Sequence, residues 1–157
     1  MKPSAVDRLL RKMPGILDIY NRAPRSKMKR DIASLVYVFF NGGFCAEPDC
    51  RIHSELPGPV SDRNTLHLFA TLASRPESPV VSSRLLGTTA PHHPMVWDMI
   101  EECARRLYVV LEPGSREKPD GAVGDRVITY VYRTRKTHPD QEVCDVILHP
   151  YGKYYLL

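Results

Sequence analysis

Apolar residues recur at helical spacing along the first twenty residues of the chain. Ser4 and Asp7 form the hydroxyl and carboxylate pair typical of a helix start, and Pro14 interrupts the helix that follows. The apolar positions around this break are Val6, Leu9, Leu10, Met13, Ile16, Leu17 and Tyr20. We therefore expect an amphipathic segment over 4–20, and a basic, extended segment over 22–30.

A second helical pattern covers residues 27–40 and ends at Gly42, a residue suited to a left-handed helix stop. The apolar run 35–40 is equally compatible with a buried strand, because periodicity does not separate the two over so short a stretch. Residues 44–61 are rich in proline and predict a loop. A further helix is expected to begin near Ser61, with Leu66, Phe69, Ala70 and Ala73 on one face.

The remaining pattern changes from helical to strand-like. A short strand is predicted over 80–86, and a helix over 94–107 whose acidic residues precede its basic ones, as the helix dipole favours. Four β-branched and aromatic runs follow, at 108–111, 126–132, 142–148 and 154–157. The pattern predicts an α+β fold, with a helical N-terminal half, a small antiparallel sheet of about four strands, and helix 94–107 packed on it.

Composition is typical of one globular domain. The chain has 157 residues, of which 43% are hydrophobic and 25% charged. No apolar run approaches the roughly 20 residues of a membrane span. Four cysteines without an export signal favour a reducing, intracellular compartment, either cytoplasm or nucleus, with the mitochondrial matrix as an alternative because the N-terminal residues are rich in arginine.

Charge is concentrated at the N-terminus. Residues 1–30, which we call the basic leader, carry nine basic and two acidic residues, a net charge of +7, whereas the other 127 residues carry a net charge of −3. The nine basic residues are Lys2, Arg8, Arg11, Lys12, Arg22, Arg25, Lys27, Lys29 and Arg30. We expect a partly helical arm over 1–30 and a compact α+β domain over 31–157.

This asymmetry predicts a non-enzymatic protein whose leader binds RNA or another polyanion, mostly through phosphates, while the body anchors it in a larger assembly. The plan is shared by ribonucleoprotein components and small viral proteins. One alternative is a viral matrix-like or accessory module that inserts the apolar face of 4–20 into a partner protein or an anionic membrane surface. The other is an enzyme with a Cys/His site.

Cys45, Cys50 and His53 form the most suggestive chemical cluster. Two thiols and an imidazole within nine residues could hold three corners of a structural zinc site, with His67, His92 or His93 as the fourth ligand. The alternative is two reduced thiols and a surface histidine.

The other histidines and cysteines have structural interpretations. His92 and His93 precede a proline at a helix start, where capping residues are common. Cys103 and Cys144 lie on apolar faces and are expected in the core. We find no phosphate-binding glycine loop and no catalytic motif, so we assign no catalytic residue.

Overall fold

Residues 4–41 form three helices that pack on one another and on the rest of the described chain. The computed structural model describes residues 4–57, 64–136, 145–150, 152 and 155–156. Helix α1 spans Ala5–Leu10, α2 spans Pro14–Arg22 and α3 spans Ser26–Asn41. The Ser4 hydroxyl accepts the backbone N–H of Asp7 at 3.1 Å, and the Asp7 carboxylate accepts that of Ser4 at 2.9 Å. The predicted helix start is therefore confirmed.

The described part of the leader is folded onto the body. Leu10, Met13 and Ile19 belong to the same buried cluster as residues of the sheet and of the later helices. The expectation of an extended segment over 22–30 is wrong, because α2 continues to Arg22 and α3 begins four residues later. Only three residues separate these helices, so the leader bends sharply there.

Four strands form the main sheet, in the order β1-β4-β3-β5. These strands are β1 (Gly43–Ala46), β3 (Thr65–Ala70), β4 (Val81–Thr88) and β5 (Asp145–His149), while β2 (Arg51–Ile52) and β6 (Tyr155–Leu156) pair separately. The predicted α+β fold with a four-stranded sheet is confirmed. The sheet is mixed rather than wholly antiparallel, because β5 lies parallel to β3.

Two long helices complete the fold. Helix α4 spans Pro94–Leu111 and α5 spans Asp125–Lys136, with a short 3-10 turn at Pro119–Gly121 between them. The predicted strands over 108–111 and 126–132 are therefore wrong. Helix α4 packs between α3 and α5, and α5 packs on β4.

Helix α5 forms despite its many β-branched residues. Val127, Ile128 and Val131 are buried at helical spacing, while Arg126 and Tyr130 are exposed. This amphipathic pattern allows one face of the helix to pack on α4 and β4. The burial outweighs the modest strand preference of the individual residues.

Strand β3 replaces the helix predicted after Ser61. All six of its residues are buried, because both faces of the sheet are covered at this position. Leu66 and Leu68 face the helices, whereas Phe69 packs in a smaller cluster with Leu85. A strand buried on both faces lacks the alternation that identifies strands in a sequence.

The main core lies between the sheet and the helices. Cys103 is buried there, as predicted, while Cys144 lies outside the described residues. Among the helices of the described segments, none combines the length and the apolar character needed to cross a membrane.

Gly87 provides a test of the register between β1 and β4. A Cβ at Gly87 would overlap the Phe44 ring and would lie 2.8 Å from the carbonyl oxygen of Gly43. We expect Gly87→Ala to lower the free energy of unfolding by about 1–3 kcal/mol, as overpacking does. Gly15→Ala is the matched control, because the nearest atom to its Cβ is the Tyr108 hydroxyl at 3.9 Å. In urea denaturation it should leave stability unchanged or raise it by up to about 1 kcal/mol.

The free energy of unfolding depends on pH through the titration of His93. Its side chain is fully buried at the start of α4, and Nδ1 accepts the Met95 N–H at 3.2 Å. Burial lowers the pKa of His93 to about 4, although Asp145 and Asp98 oppose the shift. The folded state therefore favours neutral His93, and this stabilisation is complete above about pH 6.5 and is lost as the pH falls toward 4.

Urea denaturation of the wild type and His93→Asn tests this assignment. Asparagine keeps a capping oxygen but does not titrate. Between about pH 7 and about pH 5, the wild type should lose about 2 kcal/mol more stability than the variant. Parallel losses in the two proteins would contradict it.

Candidate polyanion-binding surface

The basic residues of the leader are divided between the two ends of α3. Arg8, Arg11 and Lys12 lie at the end of α1, and Lys12 Nζ stands 5.2 Å from the ring centroid of Phe40, in the last turn of α3. Arg25 and Lys27 lie at the first turn of α3. Since α3 has 16 residues, these groups are separated by about 20 Å along the helix.

The cations at the end of α1 are exposed, and Arg11 has an electrostatic interaction with Asp7. Arg8, Arg11 and Lys12 are all exposed, and within the described residues none of them forms a salt bridge. Arg8 lies in the last turn of α1, Arg11 is its C-cap residue and Lys12 follows, so the three cations lie within five residues of the chain. We call Arg8, Arg11 and Lys12 the α1 basic cluster.

Much of the remaining leader charge is held by contacts within the protein. Arg22 pairs with Asp18 at 3.2 Å, and Lys29 donates to the carbonyl oxygen of Asn21 at 3.2 Å. Lys27 pairs with Asp31 at 3.4 Å and with a second carboxylate, described below. Arg30 is exposed without a salt bridge among the described residues, and Lys2 lies outside them.

A cleft of about 370 Å³ lies at the N-terminal end of α3. Its charged lining comes from α3, β4 and the start of α5: Arg25, Lys27, Asp31, Arg84, Asp125 and Arg126. Glu47 accepts from Lys27 at 3.2 Å and lies 3.7 Å from Arg84, which also binds Asp49 at 2.7 Å. The cations of this cleft are thus largely neutralised by neighbouring carboxylates.

Asp31 is the buried carboxyl group of the cleft. It is 5% exposed, and burial raises its pKa to about 6, although Lys27 opposes the shift. Gly124 closes the cleft beside it, with φ of 73°, and a Cβ there would stand 3.1 Å from Asp31 Oδ2. Asp31 is not among the site residues predicted from the sequence. The signal that could have identified it is a carboxylate on the apolar stripe of the helix, between Met28 and Leu35.

The predicted metal ligands do not converge. Cys45 lies on β1, Cys50 precedes β2, and His53 follows β2 and donates from Nε2 to the Gly152 carbonyl oxygen at 3.0 Å. In the described ranges, no three His, Cys, Asp or Glu side chains are placed to hold a metal ion. Burial raises the pKa of both thiols, which disfavours the thiolate that zinc binding and nucleophilic attack require. Zinc binding stays a prediction.

Two further histidines meet across the parallel strand pair. His67 Nδ1 lies 3.0 Å from His149 Nε2, and both side chains are buried. Burial lowers the pKa of His67 and so favours its neutral ring; in the contact one ring nitrogen donates and the other accepts. The pair fills the space beside Phe69 and holds β3 against β5.

The apolar face of segment 4–20 is part of the core. Leu10, Met13 and Ile19 are buried, and Leu9, Ile16 and Leu17 pack against the same cluster. This face is therefore covered by the body of the protein. Insertion into a membrane, as the alternative interpretation requires, would need the leader to detach.

No family model, characterised protein or solved structure matches this chain.

Asp31→Asn tests the cost of the buried carboxylate. At pH 7 we expect the substitution to raise the free energy of unfolding by roughly 1–3 kcal/mol, because the folded protein disfavours the ionised form. Ionisation of Asp31 destabilises the folded wild type as the pH rises from about 4 through 6. Near pH 4 the variant should therefore be almost no more stable than the wild type.

Asp18→Asn serves as the control, since Asp18 is exposed and also pairs with a residue four positions away. It should change the free energy of unfolding by less than about 0.5 kcal/mol. If urea denaturation shows Asp31→Asn to be destabilising at pH 7, the Lys27 ion pair outweighs the burial.

Proposed function

We propose that this protein is a non-enzymatic binding protein whose α1 basic cluster engages a polyanion. The observation that carries the proposal is three exposed cations within five residues, none of which forms a salt bridge with a carboxylate of the described residues. Cations of this kind neutralise phosphates and release condensed counterions, which gives affinity without sequence readout.

Helix packing supports the same proposal. The apolar side of α1 contacts α3 and places Leu10 in the core. Because the helix is docked, its basic residues are held on a defined surface and little chain entropy is lost when they bind. Lys12 is held over Phe40, which orders it further.

The nine leader cations make unequal contributions in this proposal. Lys27 and Arg22 already satisfy carboxylates, so their binding to an external anion would cost those ion pairs. No salt bridge of the described residues would be lost when an external anion binds Arg8, Arg11, Lys12 or Arg30. Anchoring of the α+β body in a larger assembly remains a prediction from the sequence.

The charge-neutralising triple variant Arg8→Gln, Arg11→Gln, Lys12→Gln tests the proposal. We expect weaker binding to a labelled single-stranded RNA, and a salt dependence whose log–log slope falls by about 0.7 for each lost phosphate contact. Fluorescence anisotropy titrations over a range of salt concentrations measure both quantities.

The matched control is Arg51→Gln, Arg75→Gln, Arg116→Gln, which removes the same charge from exposed positions on other segments. It should keep nearly the wild-type slope. Equal losses in the two triple variants would show that binding follows net charge alone and would contradict the assignment to α1.

A further inference from the structure

An aromatic patch adjoins the α1 basic cluster. It consists of Phe39 and Phe40 from the last turn of α3, His92 from the loop before α4, and Trp97 from the first turn of α4. Phe39 lies at its centre, with ring centroids 5.3 Å from Phe40, 5.1 Å from His92 and 5.3 Å from Trp97.

The aromatic patch packs against the core and is partly exposed to solvent. Phe39 and Phe40 pack against the main core, while His92 is exposed and Trp97 is 37% exposed. His92 donates its backbone N–H to the Phe39 carbonyl oxygen at 2.6 Å. Its φ of 61° is the only positive value at a non-glycine residue in the described segments, so this loop is held in a conformation that side chains rarely adopt.

Cations border this aromatic surface. Lys12 Nζ lies over the Phe40 ring, and Arg8 and Arg11 lie one to four residues before it, in the last turn and at the C-cap of α1. Surfaces that bind single-stranded nucleic acid combine these two features, since bases stack on aromatic rings while basic side chains follow the phosphates. A simple polyanion would use the cations but would gain nothing from the rings.

We propose that the aromatic patch stacks the unpaired bases of a single-stranded nucleic acid whose phosphates contact the α1 basic cluster. This inference rests on the proposed polyanion binding and names its ligand class. Trp97 presents the largest exposed ring of the patch and stacks a base. Double-stranded nucleic acid binds less well, because its bases are already stacked within the duplex.

Trp97 supplies its own readout, because it is the single tryptophan of the chain. The full-length protein is titrated with a uridine oligonucleotide and with inorganic polyphosphate of matching charge. The oligonucleotide should quench tryptophan fluorescence and bind more tightly, whereas polyphosphate should bind without quenching. If both ligands bind with equal affinity and neither quenches, polyanion binding stands and base stacking is refuted.

Trp97→Ala should weaken oligonucleotide binding by about 5- to 160-fold, the range measured for loss of a stacked base, and leave polyphosphate affinity unchanged. Trp97→Phe, which keeps a ring and most of the packing, should recover most of the affinity. Tyr108→Ala is the control, since Tyr108 is 46% exposed near the opposite end of α4. It should bind both ligands as the wild type does.

Three further outcomes would overturn this inference, and the second would overturn the proposed function with it. Equal weakening of both ligands by Trp97→Ala would show loss of structure or charge placement, and would overturn stacking. Binding of neither ligand by the wild type would overturn the inference and the proposed function together. A blue shift of tryptophan emission with phosphatidylserine vesicles, without oligonucleotide binding, would assign the patch to a lipid surface and also overturn it.

Discussion

Burial of Leu10, Met13 and Ile19 in the main core determines where the charge of the leader can act. The helices that carry these residues must turn their apolar sides inward, and their basic residues consequently occupy the outer surface. The same docking divides the charge along α3. The α1 basic cluster lies beside Phe40 and forms no salt bridge among the described residues. At the other end of α3, Lys27 pairs with Asp31 and Glu47. Fewer cations of the leader are therefore available to an external anion than its net charge of +7 suggests.

The two ends of α3 have different electrostatic character. At the N-terminal end, Asp31 is buried among Lys27, Glu47 and Asp125, and the ion pairs there satisfy groups within the protein. At the C-terminal end, cations adjoin partly exposed rings with no carboxylate paired to them in the described part of the chain. Cations already paired with carboxylates of the protein must lose those contacts to bind an outside anion, while exposed cations beside aromatic rings can bind it directly.

Two helix boundaries were predicted correctly from local signals in the sequence, because such signals depend on neighbouring residues. The Ser4 and Asp7 capping box and the stop at Gly42 are of this kind. The errors arose where tertiary burial decides. Val127 and Ile128 favour strands individually but form a helix against β4, and β3 lacks alternation because both its faces are covered. The α1 basic cluster could be identified from the sequence only as part of the nine basic residues of the leader. Its aromatic neighbours could not, since Phe39 and Trp97 are 58 residues apart and meet only through the packing of α3 on α4.

Two-dimensional NMR during titration with a single-stranded RNA tests the account most directly, because it reports on residues of both ends of α3 in one experiment. The account predicts chemical-shift changes at Arg8, Arg11, Lys12, Phe40 and the Trp97 indole, with little change at Lys27, Asp31 and Arg84. Changes confined to the cleft around Asp31, with none in α1 or at Trp97, would contradict it.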